Sequence, residues 1–216
     1  MHPDLQLEGV QLSVGGRTLF EPLHARVHGG QCLTVMGASG CGKSSLLAFV
    51  AGTLDPAFVA QGSVQVGDRV LNGLPPERRR LGILFQDDLL FPHLSVGDNL
   101  AFALPAAVRP PALRRQQIDA ALASAGLAGF ARRDPATLSG GQRARVALMR
   151  TLLAQPLALL LDEPFSKLDT ALRADFRRFV FEHARSRALP VLLVSHDEAD
   201  AAAAGGSVIE LGVGAA

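Results

Sequence analysis

Cys32-Leu33-Thr34-Val35-Met36 runs straight into Gly37-Ala38-Ser39-Gly40-Cys41-Gly42-Lys43-Ser44-Ser45, and the reading of this stretch decides the fold. The first five residues form a short apolar run, as a strand buried on both faces should. Gly37 to Ser44 then fit the pattern G-x-x-x-x-G-K-[ST], and an apolar helix follows. A polyphosphate carries dense negative charge, and backbone N–H groups can surround it only where no side chain intervenes. Glycines permit that approach, and the following helix presents its positive end. In such a cradle Lys43 reaches the β- and γ-phosphates and the Ser44 hydroxyl ligates Mg²⁺. A glycine-rich turn with a surface lysine is the simpler reading, but the strand before and the helix after favour the cradle.

Working outward, the N-terminal side reads as antiparallel strands. Leu5 and Leu7, then Val10, Leu12 and Val14, then Leu23, Ala25 and Val27 alternate with other residues at period two. Val64, Val66 and Val70 around Gly67-Asp68 suggest a further hairpin. On the C-terminal side three more short apolar runs stand out: Leu81 to Phe85, Leu157 to Leu161 and Val191 to Ser195. Between the first two, from about Ser95 to Ala154, the spacing is helical, with breaks at Pro105–Pro111 and Asp134–Gly141. Strands alternating with helices predict an α/β fold with a mostly parallel sheet. An N-terminal antiparallel β subdomain and a helical subdomain inserted over about 95–155 complete one domain of 216 residues.

Polar, chemically capable residues follow two of the buried runs. Asp162 and Glu163 follow Leu157–Leu161, where one carboxylate can hold Mg²⁺ through water and the next can orient or deprotonate an attacking water. His196 is the one histidine of six that follows a buried strand. A net formal charge of +1, from 21 basic and 20 acidic residues mixed along the chain, argues against nucleic acid as a partner. The basic run Arg78-Arg79-Arg80 is expected on a solvated loop or helix end. No apolar run approaches the roughly 20 residues that span a bilayer, and MHPDLQLEGV has no signal-peptide pattern, so a cytosolic location is expected.

Leu138-Ser139-Gly140-Gly141-Gln142 narrows the assignment, since it resembles the LSGGQ signature of the ABC (ATP-binding cassette) ATPases. The string falls between the two nucleotide motifs, as that family requires, and the resemblance extends from about Leu5 to Leu211. It implies a phosphate-loop NTPase core, hydrolysis of ATP with Mg²⁺, and a head-to-tail homodimer. ATP would be sandwiched between Lys43 of one protomer and Ser139 and Gly141 of the other. It further implies that Gln86 contacts Mg²⁺ and water, that His196 attends the γ-phosphate, and that Ser166, Leu168 and Asp169 of the segment Ser166-Lys167-Leu168-Asp169 cross the dimer interface.

Within that family, Phe85-Gln86, Leu90-Phe91-Pro92-His93-Leu94-Ser95-Val96 and Asn99 resemble the importer pattern, and DPATLSGGQRARVALMR, followed by LLAQP and LLLDEPFSKLD, is similar to the small bacterial importer ATPases near the thiamine, sulfate and molybdate transporters. That similarity implies permease subunits, a separate solute-binding protein and a peripheral place on the cytoplasmic face of the cell membrane. A force-transmitting ABC ATPase of cell division or lipoprotein release is the alternative; FPHLSV and the QRARV continuation lean towards import. An ordinary kinase with a phosphate loop is disfavoured by LSGGQ and His196. One departure concerns the base: the slot where the family places an aromatic residue falls on Val14, and the chain has no Tyr or Trp. Phe20 is a candidate substitute; if no aromatic residue stacks on the base, binding rests on the phosphates and Mg²⁺, and ATP and GTP are expected to bind within about tenfold of one another.

Overall fold

The computed structural model describes residues 3–212. In chain order the elements are β1 (Leu5–Val14), β2 (Arg17–Thr18), β3 (Leu23–Val27), β4 (Cys32–Met36), α1 (Lys43–Ala51), β5 (Phe58–Val66), β6 (Arg69–Val70), α2 (Pro76–Arg79) and β7 (Leu81–Leu84). They continue with α3 (Val96–Ala103), α4 (Pro111–Ser124), α5 (Gly140–Leu153), β8 (Ala158–Asp162), α6 (Thr170–Ser186), β9 (Val191–Val194), α7 (Glu198–Ala204) and β10 (Ser207–Glu210). Two compact units are formed. One holds the described residues up to Ile83, Leu157–Glu163 and the residues from Arg177 onward; the other holds Leu84–Pro156 and Pro164–Phe176.

The first unit carries an antiparallel sheet ordered β2-β1-β5-β6, with β3 also paired to β1, and a second sheet ordered β10-β4-β9-β8-β7. In the second sheet the β10–β4, β4–β9 and β8–β9 ladders are parallel. The α/β class and the mixture of parallel and antiparallel sheets are those the sequence predicts. The apolar phase of β1 changes from odd to even positions, and the reason is a bulge. Pairing with β3 shifts register between Leu7 and Val10, and pairing with β5 shifts between Glu8 and Gln11. Gly9 takes φ +60° at this point. A Cβ on the facing Gly62 would lie 2.4 Å from the Gly9 carbonyl oxygen, so both strands need glycine. Leu5, Leu7, Val10 and Leu12 thereby all reach one core, which they share with Val35, Leu46, Leu160 and Val194.

Arg79 departs from expectation. Its guanidinium is buried and donates to the Phe49 and Val50 carbonyls at 2.8 Å each and to the Leu74 carbonyl at 2.9 Å. The last carbonyls of a helix lack intrahelical donors, and a cation at that negative end serves them. A solvated basic run therefore describes Arg78 and Arg80, which are exposed, but not Arg79. The strand β10 had no reading in the sequence, and β7 ends at Leu84, one residue short of the predicted Phe85, which is exposed.

The second unit is helical. Here α3 packs against α5, against α4 and against the short 3-10 turn Phe130–Arg132. Asn99 is fully buried on α3 and clamps the preceding turn. It accepts from the Phe91 N–H at 2.8 Å and donates to the Phe91, Leu94 and Ser95 carbonyls at 3.0–3.2 Å. Buried donors and acceptors cost free energy unless paired, and this one amide satisfies several backbone groups at once. The outcome is a fixed turn that leaves Leu89 and Phe102 exposed.

Candidate functional site

Gly37, Gly40 and Gly42 take φ values of +143°, +82° and +102° between β4 and α1, a path that L side chains rarely follow. A Cβ on Gly37 would lie 2.8 Å from the Leu211 carbonyl oxygen and 2.9 Å from Cys41 Sγ. Cys41 is accordingly buried beneath the loop, while Ala38 and Ser39 are exposed on it. Lys43 is 8% exposed, and its ammonium donates back to the Gly37 carbonyl at 2.7 Å and the Ala38 carbonyl at 3.0 Å. Gly42 caps α1 with no side-chain hydrogen bond, so the first N–H groups of the helix are not served by a capping side chain.

The ends of the neighbouring parallel strands converge on this loop. The Ser44 hydroxyl donates to Asp162 Oδ1 at 3.3 Å. Successive strand residues normally face opposite sides. Glu163 breaks that alternation with φ +45°, while its N–H remains bonded to the Val194 carbonyl at 3.0 Å. Two consecutive carboxylates therefore serve one site, Asp162 at Ser44 and Glu163 in the lining of the cavity that begins at the loop. Glu163 Oε1 lies 3.0 Å from His196 Nδ1; a carboxylate accepts, so Nδ1 carries the proton. Burial raises the pKa of Asp162, and the Glu163 charge adds to this, while the Ser44 hydrogen bond and the Lys43 charge pull the other way. A cation beside Asp162 would favour its ionised form. Ser44 and Asp162 are hard oxygen donors, and Mg²⁺ is commonly held by one or two carboxylates plus substrate phosphates, so the residues suit that ion.

The residues that hold His196 were missed by sequence reasoning. Ser195 is buried and donates to Asp200, while Arg177 reaches both Asp200 and Asp197, the latter at 2.7 Å. The Asp197 N–H donates to Ser195 Oγ at 3.1 Å. Arg177 is 20 residues from Asp197 in sequence, and only α6 packing brings them together. Phe20 is corrected: it is 1% exposed, with its ring under Gly42 in the core, and cannot offer a face to a base. Both cysteines are buried and free, and burial pushes the Cys32 thiol up to about 12.

The second unit carries the remaining predicted residues. Leu138 is buried, and Ser139 caps α5 in a complete capping box: its Oγ accepts from the Gln142 N–H at 3.3 Å, and Gln142 Oε1 accepts from the Ser139 N–H at 3.0 Å. Gly140 is half-buried, whereas Gly141 is buried, and a Cβ there would lie 3.2 Å from Leu172. Asp169 Oδ1 accepts from the Leu172 N–H at 3.0 Å at the start of α6, and Arg173 donates to the Leu168 and Ser166 carbonyls at 3.0 and 3.3 Å. Gln86 is exposed, two residues beyond β7.

Comparison with known proteins places this geometry. The family described as ABC transporter matches residues 20–166. The chain is 49% identical over 196 residues to "Uncharacterized ABC transporter ATP-binding protein YnjD" of Escherichia coli (strain K12), covering 91% of this chain and 90% of that protein. It is 39% identical over 213 residues to "Fe(3+) ions import ATP-binding protein FbpC 3" of Rhodococcus jostii (strain RHA1), covering 97% of this chain and 60% of the relative. It is 38% identical over 207 residues to "Spermidine/putrescine import ATP-binding protein PotA" of Marinobacter nauticus, covering 96% and 55% respectively. The chain thus spans most of the first relative but less than two thirds of these two import proteins. Among the described residues no helix is long and apolar enough to cross a membrane. With the phosphate loop, the paired acids and the match to more than half of its length, the chain belongs to the ABC transporter family and is an ATP-hydrolysing member that uses ATP with Mg²⁺.

Proposed function

We propose that this ATPase works as a head-to-tail homodimer on the cytoplasmic face of the cell membrane, where it powers import of a solute through permease subunits. The observation that carries the reading is the convergence of Lys43, Ser44, Asp162, Glu163 and His196 on the loop after β4, with Glu163 and His196 3.0 Å apart. Lys43 would exchange its loop carbonyls for phosphate oxygens. Ser44 and Asp162 would hold Mg²⁺, which when bound neutralises charge on the β- and γ-phosphates. Glu163 would orient or deprotonate the attacking water, and His196 would keep that carboxylate in place while facing the γ-phosphate. Electrostatic preorganisation of this kind supplies most of the catalysis in phosphoryl transfer.

Each chain holds one phosphate loop and one signature, Leu138–Gln142, so a complete pair of sites needs two chains. Ser166, Leu168 and Asp169 would line that contact. Import is supported by the names of the iron and polyamine relatives, which all state it, rather than force transmission. Such relatives also favour a separate solute-binding protein. A face for the permease is offered in the helical unit: Phe102 is 71% exposed, its ring 5.0 Å from that of Phe91, and Leu89 of the same unit is exposed as well. Apolar exposure grouped in this way marks a docking surface more often than solvated loop.

Turnover of MgATP by the purified chain and by Glu163→Gln tests the reading. Removing a catalytic base typically costs about 10²–10⁴-fold, so the variant should retain little activity while still binding ATP. Unchanged turnover would overturn the role of Glu163, and failure of the tagged chain to co-purify with any integral membrane protein would contradict the transport assignment.

A further inference from the structure

The cavity that begins at the phosphate loop has a volume of about 380 Å³ and a lining of mixed chemistry. Ser39, Lys43, Ser44, Ser45 and Glu163 make one end polar. Val14 and Phe58, paired across β1 and β5, make an apolar end, and Leu19 adds apolar lining beside the loop. A nucleotide whose phosphates lie in the loop carries its aromatic base one sugar away, and the apolar end is the part of the same cavity left for it. We propose that Phe58 is the side chain on which the base rests, with Val14 beside it and Leu19 as the floor. The proposal rests on reading Gly37–Ser45 as the phosphate cradle.

Strand register puts the ring in place. Val14 and Phe58 are directly opposed partners of β1 and β5, so their side chains leave the same face of the sheet. The preceding pair on that face is Leu12 and Ala60, and Leu12 is fully buried. The Val14–Phe58 pair is therefore the outer end of a row rooted in the core. Phe58 is half-buried and held by a turn: its N–H donates to the Asp55 carbonyl at 3.0 Å, and the Ala57 N–H donates to Asp55 Oδ1 at 2.8 Å. Leu19 lies against the loop, since a Cβ on Gly42 would come within 3.0 Å of its Cδ1. With neither Tyr nor Trp in the chain, and Phe20 sealed in the core, Phe58 is the one aromatic side chain lining this cavity among the described residues.

The chemistry of the pair predicts a particular selectivity. Every base has a π-face, so stacking on an aromatic ring tolerates any base. Strong discrimination requires side chains that hydrogen-bond the base edge, and Val14, Leu19 and Phe58 have no such groups. Phe58 therefore supplies affinity and little preference between adenine and guanine.

Calorimetric titration of the full chain with Mg²⁺ and non-hydrolysable ATP and GTP analogues, and with inorganic tripolyphosphate, tests this. The two analogues should bind within about tenfold of one another. Phe58→Ala should weaken both by about 5- to 150-fold and leave tripolyphosphate binding unchanged. Phe58→Leu, which keeps apolar bulk without a ring, should lose most of the same factor, and Phe58→Trp should not. Equal affinity of the Leu and Trp variants, wild-type nucleotide affinity in Phe58→Ala, or a native preference for ATP above about a hundredfold would overturn the proposal. Failure of tripolyphosphate to bind the wild-type chain would overturn the phosphate-cradle reading instead.

Discussion

The N-termini of α1 and α5 are both rich in glycine, yet their backbone donors are served in opposite ways. Gly42 caps α1 without any side-chain hydrogen bond, and the loop before it turns through positive φ at Gly40 and Gly42. Ser139 caps α5 with a complete capping box closed by Gln142. The four leading N–H groups of any helix need partners, and a capping side chain supplies one of them. At α1 that place is open to an anion from the start. At α5 the Ser139 hydroxyl already accepts from the backbone, and must leave that bond or share it before it serves a phosphate. The difference suits a division of labour in which one chain binds nucleotide through α1 alone, and α5 acts only after a second chain brings phosphate to it.

Lys43→Ala should produce the largest effect on this contrast. Hydrogen bonds to charged groups are worth about 1.5–3 kcal/mol, so MgATP affinity measured by calorimetry should fall about 10- to 150-fold. Affinity unchanged within threefold would mean that α1 holds no privileged position. Ser139→Ala should act on the other terminus and more gently. Loss of an N-cap costs about 1 kcal/mol, which corresponds to about 2–4 °C in Tm for a chain of this size. Nucleotide affinity of the monomer should not move. A weaker monomeric affinity would show that Ser139 serves nucleotide within its own chain and would erase the contrast.

How far these features could be read from the sequence depended on how local their causes are. The phosphate loop, the ends of β8 and β9 and the signature were legible because each is a contiguous string whose residue types answer one physical need. The antiparallel strands were legible from period-two patterning, but the phase change in β1 made sense only with the bulge at Gly9 facing Gly62, a pairing across 53 positions. The strand β10 escaped because Ser207–Glu210 is short and follows an alanine-rich helix and two glycines. Arg79 looked solvated because nothing local shows that the carbonyls ending α1 lie within its reach. Phe20 looked available for a base because it closely follows Val14, but closeness in sequence says nothing about which way a ring faces; Phe58, much farther from Val14 in sequence, is its direct cross-strand partner. The Arg177 network around His196 needs α6 and the turn after β9 together, and its residues carry no motif of their own.

The composite site is the central claim, and the molar mass of Glu163→Gln in solution tests it most directly. Measured by light scattering after size exclusion, the variant should be a monomer of about 22.7 kDa without nucleotide and twice that mass with MgATP, because ATP that is bound but not hydrolysed holds two chains together. Adding Ser139→Ala to that variant should reduce the dimer fraction while each monomer still binds ATP. A monomeric mass at saturating MgATP, together with full ATP turnover by monomeric wild-type chain, would contradict the account.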